Sequence, residues 1–354
     1  MCHKPKRALA APSKKHEETE IIDLHFASLF LHFFIIAAWL IPHLGSAAEE
    51  PNSSASPVTE PFSQDAHVSL LVPLQSGEKF SFGAVSESPD EDIARQTAGD
   101  AESASDLNRK LSNPVSSVWS IESQFNNFLL NNGHWNNNWN FQPVMPISLT
   151  KDLNLITRPV MPFYNIVPHE TSPGEFNRDA GLGDLALLEL FSPANSGNWV
   201  LGAGPTAIFP TATSHFTGQG KWQLGPAFVA GYLTKEYFIG VFPQQWFSFA
   251  GEHGRPDTNQ MNLQPIASIF FGEGWDLGYS GNILINWNAP SPDVWTVPIG
   301  LGLGKVVKFG RLPVKIQLAV QYIPVHPRIS GQEWNVQVEI TPVIPKLIKG
   351  VLFQ

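Results

Sequence analysis

The sequence predicts an all-β fold, an antiparallel transmembrane β-barrel of about twelve strands preceded by a disordered leader. Two observations support this prediction. Apolar and polar residues alternate over stretches of strand length, and many large aromatic residues accompany few charges. The chain has 11 Trp and 24 Phe, while charged residues make up only 15%. A barrel in lipid needs an apolar outer face and can keep its polar side chains in the lumen, so this composition is typical of one.

The alternation is clearest in three stretches that each begin with a tryptophan. They run from Trp275 to Asn288, from Trp295 to Gly304 and from Trp334 to Thr341, and in each nearly every second side chain is apolar. A tilted strand needs about 9 to 11 residues to cross the apolar layer of an outer membrane. These stretches are therefore long enough to be membrane-spanning strands.

Similar patterns, separated by turn residues, extend over most of the chain after residue 112. An even number of antiparallel strands allows closure, which lipid requires because unpaired backbone groups are costly there. Many of these segments contain an internal proline, which we interpret as a bulge or an interface-level position. Longer connections are expected at 166–182, 210–220, 250–259 and 325–332. The candidate strands are 117–128, 138–148, 153–165, 183–192, 198–209, 221–234, 236–249, 260–271, 274–288, 294–307, 313–325 and 333–344.

The N-terminal third divides into two segments that precede the predicted barrel at 112–354. Residues 1–48 contain an apolar run, Phe26 to Leu44, followed by small residues that suit cleavage after Ala48. We interpret them as a signal peptide, with an uncleaved anchor as the alternative because the run is 19 residues long. Residues 49–111, rich in Ser, Pro, Asp and Glu, are predicted to be a disordered acidic linker. The chain is therefore expected to be exported.

Several motifs between Asn113 and about residue 345 resemble those of a known family. They are Asn113-Pro114-Val115, Phe141–Ile147, Gly202–Pro205, Phe209–Thr213, Gly218–Trp222, Gln245–Gly251 and Trp295–Gly300. The resemblance is to the bacterial outer-membrane barrels labelled transporters and often mislabelled neuromedin U, which are similar to the barrels of the meta-pathway phenol-degradation group. It implies an outer-membrane location in a Gram-negative bacterium and a barrel fold. This chain departs from the family in its acidic leader and in the Asn-rich segment 131–140.

The function expected from these features is passive transport of small molecules, hydrophobic or aromatic ones included. Two alternatives remain open: a structural or adhesive barrel with a plugged lumen and functional outer loops, and a secreted soluble β-sandwich. We expect no enzyme, because the chain has no G-x-S-x-G elbow and its only cysteine, Cys2, lies in the predicted signal. No cofactor or metal site is predicted. The expected partners are outer-membrane lipids, the barrel assembly machinery and an unidentified solute, with no nucleic acid. The net charge of −9 is not informative about such partners, because the acidity belongs to the linker.

Two sets of residues are candidates for function. Polar residues in the alternating strands are expected to face the lumen, because a Lys or Arg facing lipid would cost about 2 to 4 kcal/mol. Inside, their charges could pair and plug the lumen or line a pore. The lumen candidates are Arg158, Glu189, Gln244, Gln264, Asp276, Asn282, Asn286, Lys315, Gln317, Gln321 and Glu339. The predicted interface anchors are Trp199, Trp222, Trp246, Trp275, Trp287, Trp295 and Trp334.

Overall fold

The fold is a closed antiparallel β-sheet preceded in the chain by one short helix. The computed structural model describes residues 103–279 and 281–353, so the predicted signal and residues 49–102 of the predicted linker lie outside the described residues. The helix is α1 (Ala104–Ser112). The strands are β1 (Ser120–Leu130), β2 (Trp135–Ser148), β3 (Leu153–Ser172), β4 (Glu175–Leu182), β5 (Leu185–Pro193), β6 (Trp199–Phe209), β7 (Lys221–Leu233), β8 (Tyr237–Gly251), β9 (Asn259–Phe271), β10 (Trp275–Tyr279), β11 (Ile283–Asn286), β12 (Trp295–Phe309), β13 (Leu312–Val325) and β14 (Gln332–Pro342).

These fourteen segments make twelve barrel strands. β4 and β5 both pair with β3, one after the other, and form one interrupted strand. β10 and β11 likewise both pair with β9 and with β12. The ladder closes where β1 pairs with β14, from Ser123 opposite Ile340 to Leu130 opposite Gln332. The predicted all-β barrel of twelve strands is confirmed, and the alternative of a two-sheet soluble sandwich is wrong because the ladder leaves no separate second sheet.

The two ends of the barrel differ. The turn end carries α1, the end of β14 and the short connections 149–152, 194–198, 234–236, 272–274 and 310–311. The loop end carries 131–134, 173–174, 210–220, 252–258, 287–294 and 326–331. The expected connection at 166–182 is wrong, because β3 continues to Ser172 and β4 begins at Glu175. This hairpin is exposed on both sides for much of its length, so it shows no apolar alternation.

Helix α1 occupies residues that the sequence assigned to a disordered linker, so that prediction is wrong over 104–111. The helix begins with a cap: the backbone N–H of Asp106 donates to Ser103 Oγ at 3.0 Å. Arg109 and Lys110 in the last turn complement the helix dipole. Nine residues are too few for a helical period to stand out from a polar background. Within the part of the chain that the structure describes, no helix has the length and apolarity of a membrane span.

The barrel is apolar outside and mixed inside. Its outer face exposes large side chains all around, among them Trp199, Phe228, Leu301 and Leu318. Exposed apolar surface on this scale would be a liability in water and is what a lipid-facing wall requires. Inside, one part of the lumen toward the turn end holds an apolar cluster contributed by β2, β3, β5, β6, β7, β8 and β9. The rest of the lumen is polar.

Candidate functional site

The lumen contains two adjoining cavities of about 280 Å³ and about 250 Å³. They share lining residues from opposite walls, including Asn140 on β2, Val160 on β3 and Asn262 on β9, and so form one continuous space. The smaller cavity reaches toward the loop end through residues such as Gln219 and Pro327. The larger one lies deeper in the barrel.

Amide side chains dominate the deeper cavity. Of its 26 lining residues, 13 are Asn or Gln and only Arg158 is charged. Each amide has a donor and an acceptor but no net charge. The lining therefore offers both hydrogen-bond donors and hydrogen-bond acceptors without attracting ions of either sign. The amides are Gln124, Asn126, Asn138, Asn140, Gln142, Gln244, Asn262, Gln264, Asn282, Gln321, Gln332, Asn335 and Gln337.

On one wall these amides form a network that crosses the closure of the barrel. Asn126 Nδ2 donates to Asn138 Oδ1 on β2 and, at 3.3 Å, to Gln124 Oε1. Asn335 Nδ2 on β14 donates to Asn126 Oδ1 and to Gln321 Oε1, both at 3.3 Å. Such mutual bonding fixes the orientation of each amide, so this wall is preorganised.

The opposite wall, on β8 and β9, is less bonded and carries an aromatic ring. Trp246 Nε1 donates to Thr206 Oγ1 at 3.1 Å, and the ring lines both cavities with 8% of its surface exposed. Its prediction as an interface anchor is therefore wrong, because its neighbour Gln245, not Trp246, takes the outward position on β8. Near it, the buried Oδ1 of Asn262 accepts no hydrogen bond from any described residue. This wall thus holds a buried, unsatisfied acceptor beside a ring.

The one charged residue in the deeper lining is neutralised. Arg158 Nη2 lies 2.5 Å from Glu122 Oε2 and donates to Gln142 Oε1 at 2.8 Å. Glu122 is 16% and Arg158 21% exposed, so the pair is largely desolvated. Charge pairing inside the lumen was one of the two arrangements the sequence left open, and Arg158 adopts it.

A second buried pair holds helix α1 inside the turn end. Lys315 Nζ on β13 lies 3.1 Å from Asp276 Oδ1 on β10, with side chains 6% and 3% exposed. Lys315 also donates to Ser112 Oγ at 2.9 Å, and Asn108 Nδ2 donates to Asp276 Oδ1 at 2.9 Å. A side chain at Gly304 would collide with this pair, since an added Cβ would lie 2.4 Å from Asp276 Oδ1. The ion pair thus links two barrel strands to the middle and the C-terminal end of the helix.

The chain after the helix packs on the apolar part of the lumen. Val115 belongs to the apolar cluster and faces Gly202 on β6, where an added Cβ would lie 3.0 Å from Val115 Cγ1. Trp119 is 4% exposed, and its Nε1 donates to Pro146 O at 2.8 Å. Residues 103–119, hereafter the plug, therefore occupy the turn end of the lumen through polar contacts on one side and apolar contacts on the other.

The structure places most of the predicted lumen residues on the inner face. Arg158, Gln244, Gln264, Asn282 and Gln321 line the deeper cavity, and Asn286 lines the outer one. Asp276, Lys315, Gln317 and Glu339 also face inward, but closer to the turn end, where Thr341 Oγ1 donates to Glu339 Oε1 at 3.1 Å and a Cβ on Gly302 would meet Gln317 Nε2. These residues serve the wall and the plug rather than the cavity.

Glu189 is the exception, and its prediction as a lumen residue is wrong. Its neighbours Leu188 and Leu190 point into the barrel and join the apolar cluster, so Glu189 points outward. It lies opposite Thr157, whose Oγ1 donates to Glu189 Oε2 at 2.7 Å. Because β5 is apolar on both faces here, the alternation could not show which face points into the lumen.

Six of the seven predicted tryptophan anchors lie at strand ends on the outer wall, but a membrane interface there remains a prediction. At the turn end, Trp199 packs edge-on against Tyr232, and Lys305 Nζ lies 4.4 Å from the centre of the Trp275 ring. At the loop end, Trp287 and Trp295 pack edge-on against each other. Trp222 packs edge-on against Phe209, and Trp334 packs against Tyr322.

Two groups of functional residues were missed from the sequence. Asn126, Asn138 and Asn140 lie in the candidate strands 117–128 and 138–148 but were not named as lumen residues, although asparagines spaced two apart in a strand share one face. Glu122, the partner of Arg158, is separated from it by 36 residues, and no local pattern joins the two. Among the described residues, no group of three or more His, Cys, Asp or Glu is placed to hold a metal.

Comparisons with known proteins concern the fold alone. No protein-family model and no curated protein matches the chain. Among solved structures, it is similar to the COG4313 outer membrane channel from Pseudomonas putida F1, with a TM-score of 0.46 and 16% identity over 64% of this chain and 94% of that one. It is also similar to the NanC porin, with a TM-score of 0.40 and 8% identity over 64% of this chain and 99% of the other.

Proposed function

We propose that the protein is an outer-membrane channel for the passive movement of small molecules, gated by its own plug. The observation that carries the proposal is the continuous polar lumen, which is open toward the loop end and occupied by residues 103–119 at the turn end. In outer-membrane barrels short turns face the periplasm and longer loops face outside. The plug would then close the periplasmic mouth.

The connectivity of the plug suits a gate. Residues 103–119 precede Ser120, where the first barrel strand begins, so the plug can leave with the β-ladder intact. The backbone bond that it would give up beside the ladder is the one from Ile344 N to Trp119 O, at 2.9 Å. Its seat combines an apolar contact at Val115 with hydrogen bonds at Asn108 and Ser112. Because its partner is charged, each of these two bonds contributes about 1.5 to 3 kcal/mol net. Release of the plug is therefore a local event that the rest of the barrel can survive.

The gate can be tested with a removable lock. The double variant Val115→Cys/Gly202→Cys places two thiols where the plug meets β6, and the chain after Cys2 has no other cysteine. The mature full-length protein would be studied in planar bilayers before and after reduction. We expect the oxidised protein to conduct poorly and the reduced protein to conduct, because only a free plug can leave the lumen.

Two controls make the result specific. Either single cysteine variant should respond to neither oxidation nor reduction. Val115→Cys/Ala203→Cys should not lock either, because Ala203 is exposed on the outer face and cannot reach the plug. If the oxidised and reduced forms of the lock conduct equally well, the plug is not a gate. If neither conducts and neither passes solutes into liposomes, the alternative of a structural or adhesive barrel replaces the channel.

A further inference from the structure

We infer that the solutes this lumen selects are small, neutral, polyhydroxylated molecules such as monosaccharides. The inference rests on the proposed channel and names its substrate class. It departs from the expectation of hydrophobic or aromatic cargo, because the deeper cavity is lined by 13 amides among its 26 residues. A hydroxyl group both donates and accepts, as an amide does, so the two match without any charge.

Ions are disfavoured because the charged groups of the lining already have partners. Arg158 is paired with Glu122 in the deeper cavity. In the outer cavity the charged lining residue is Asp184, whose Oδ2 accepts from Gln219 N at 2.6 Å and whose Oδ1 accepts from Ala212 N at 3.2 Å. An anion that sheds its hydration shell here gains hydrogen bonds but no ion pair, and a cation meets a single carboxylate whose oxygens already accept backbone hydrogen bonds, so for both the exchange is unfavourable.

Purely apolar solutes are disfavoured for the opposite reason. They would leave amide donors and acceptors without water and without a replacement partner, and each such loss costs about 1 to 3 kcal/mol. A sugar ring avoids this cost, because its hydroxyl groups meet the amides while its C–H faces can lie against Phe128, Phe242 or Trp246. Asn262 lines both cavities, and its buried Oδ1 has no described donor, so a rotation of this side chain would offer such a hydroxyl an acceptor without breaking an existing bond to that oxygen.

The selectivity can be measured by the swelling of liposomes that contain the reduced Val115→Cys/Gly202→Cys protein. Glucose, glucuronate and glucosamine are similar in size and differ in charge. We expect glucose to enter at least about ten times faster than either charged sugar, because only the ions lose hydration without compensation. Equal or faster entry of glucuronate or glucosamine would overturn the inference while leaving the channel intact. If no solute enters, although the protein is folded, the proposed function itself has failed.

Variants of the lumen and of an exposed turn separate recognition from simple sieving. Asn262→Leu removes the Oδ1 acceptor and should slow glucose entry at least about threefold. Asn262→Asp adds an uncompensated negative charge and should slow glucuronate more than glucose. Asn195→Leu and Asn195→Asp, at an exposed position in the 194–198 turn, should alter neither rate. If Asn262→Leu passes glucose as fast as the parent protein does, the amide lining does not select sugars.

Discussion

At the scale of single residues, the buried pair of Lys315 and Asp276 is the most sensitive point of the turn end. Lys315→Met removes one partner and leaves the Asp276 carboxylate 3% exposed and without its counter-charge. Breaking a buried pair in this way costs about 3 kcal/mol or more. We expect the variant to unfold at a clearly lower urea concentration in detergent, as followed by the loss of heat-modifiable migration on a gel.

Two further variants test that explanation. Lys315→Met/Asp276→Asn removes both charges but keeps an oxygen for Asn108, and it should recover much of the lost stability. Lys308→Met alters an exposed lysine near the turn end and should have little effect. A single variant as stable as the parent would show that water reaches Asp276 and screens its charge.

The outward-facing Glu189 gives a prediction of opposite sign. Its carboxyl group lies on the outer wall, and Thr157 is the hydroxyl that bonds it. Replacing a carboxyl with an apolar side chain on a lipid-facing surface should stabilise the protein by on the order of 1 kcal/mol. We expect Glu189→Leu to raise the unfolding midpoint in lipid vesicles. Ser196→Leu, in the adjoining turn outside the lipid, serves as the control. A lower midpoint for Glu189→Leu would mean that the hydrogen bond from Thr157 outweighs the cost of the carboxyl group in lipid.

The same residues show why the inner face could be predicted only in part. The alternation of polar and apolar residues identifies the inner face correctly where that face is polar, as for Gln244 and Gln321, which line the cavity as expected. The alternation gives the wrong face at Glu189, because the apolar residues Leu188 and Leu190 fill the lumen there and neither face of the strand is polar. It fails at Trp246 because an aromatic ring suits a lumen wall as well as an interface. Which face of a strand points into the lumen therefore depends on the residues that fill the barrel, and these come from strands that are distant in the sequence.

At the scale of elements, the strands were predictable because membrane crossing imposes a minimum length and a period of two. The helix was not, since α1 is short and its seat is built from residues 166 to 203 positions away. The in-strand prolines were expected to mark bulges or interface levels. The bulge interpretation is wrong for most of them: among the register shifts between described strands, only the one between β12 and β13 spans such prolines, with Pro298 on one strand and Pro324 on the other.

The other prolines sit in regular register. Pro205 lies directly opposite Pro226, and Pro265 lies opposite Val241. A proline contributes no N–H, so each such position removes a possible ladder bond. The barrel tolerates these losses because many neighbouring pairs remain, in contrast to a two-stranded hairpin. Why prolines recur in these strands has no explanation in the contacts of the wall.

At the scale of the whole molecule, different contacts hold the two mouths of the barrel, and those at the loop end can be tested by pH. The turn end holds a packed plug, whereas at the loop end two loops, 287–294 and 326–331, are joined by Asp293 and Arg328. Arg328 Nη2 donates to Asp293 Oδ2 at 3.0 Å, and this hydrogen bond lowers the pKa of Asp293 below its ordinary value of 3.8. Both groups lie outside the membrane-spanning strands.

The sign of the pH dependence follows from that lowered pKa. A carboxyl group with a lowered pKa stabilises the folded loops above its ordinary pKa, and this contribution is lost as the pH falls through the lowered value. The ion pair between Asp293 and Arg328 should therefore hold the two loops together at pH 5 and break only in strong acid. Arg328→Gln should return the pKa of Asp293 toward 3.8, which carboxyl NMR titration in detergent micelles would detect. Arg311→Gln, in an exposed turn at the other end, should leave that pKa unchanged. An unchanged titration in Arg328→Gln would show that the two loops are not tied in solution.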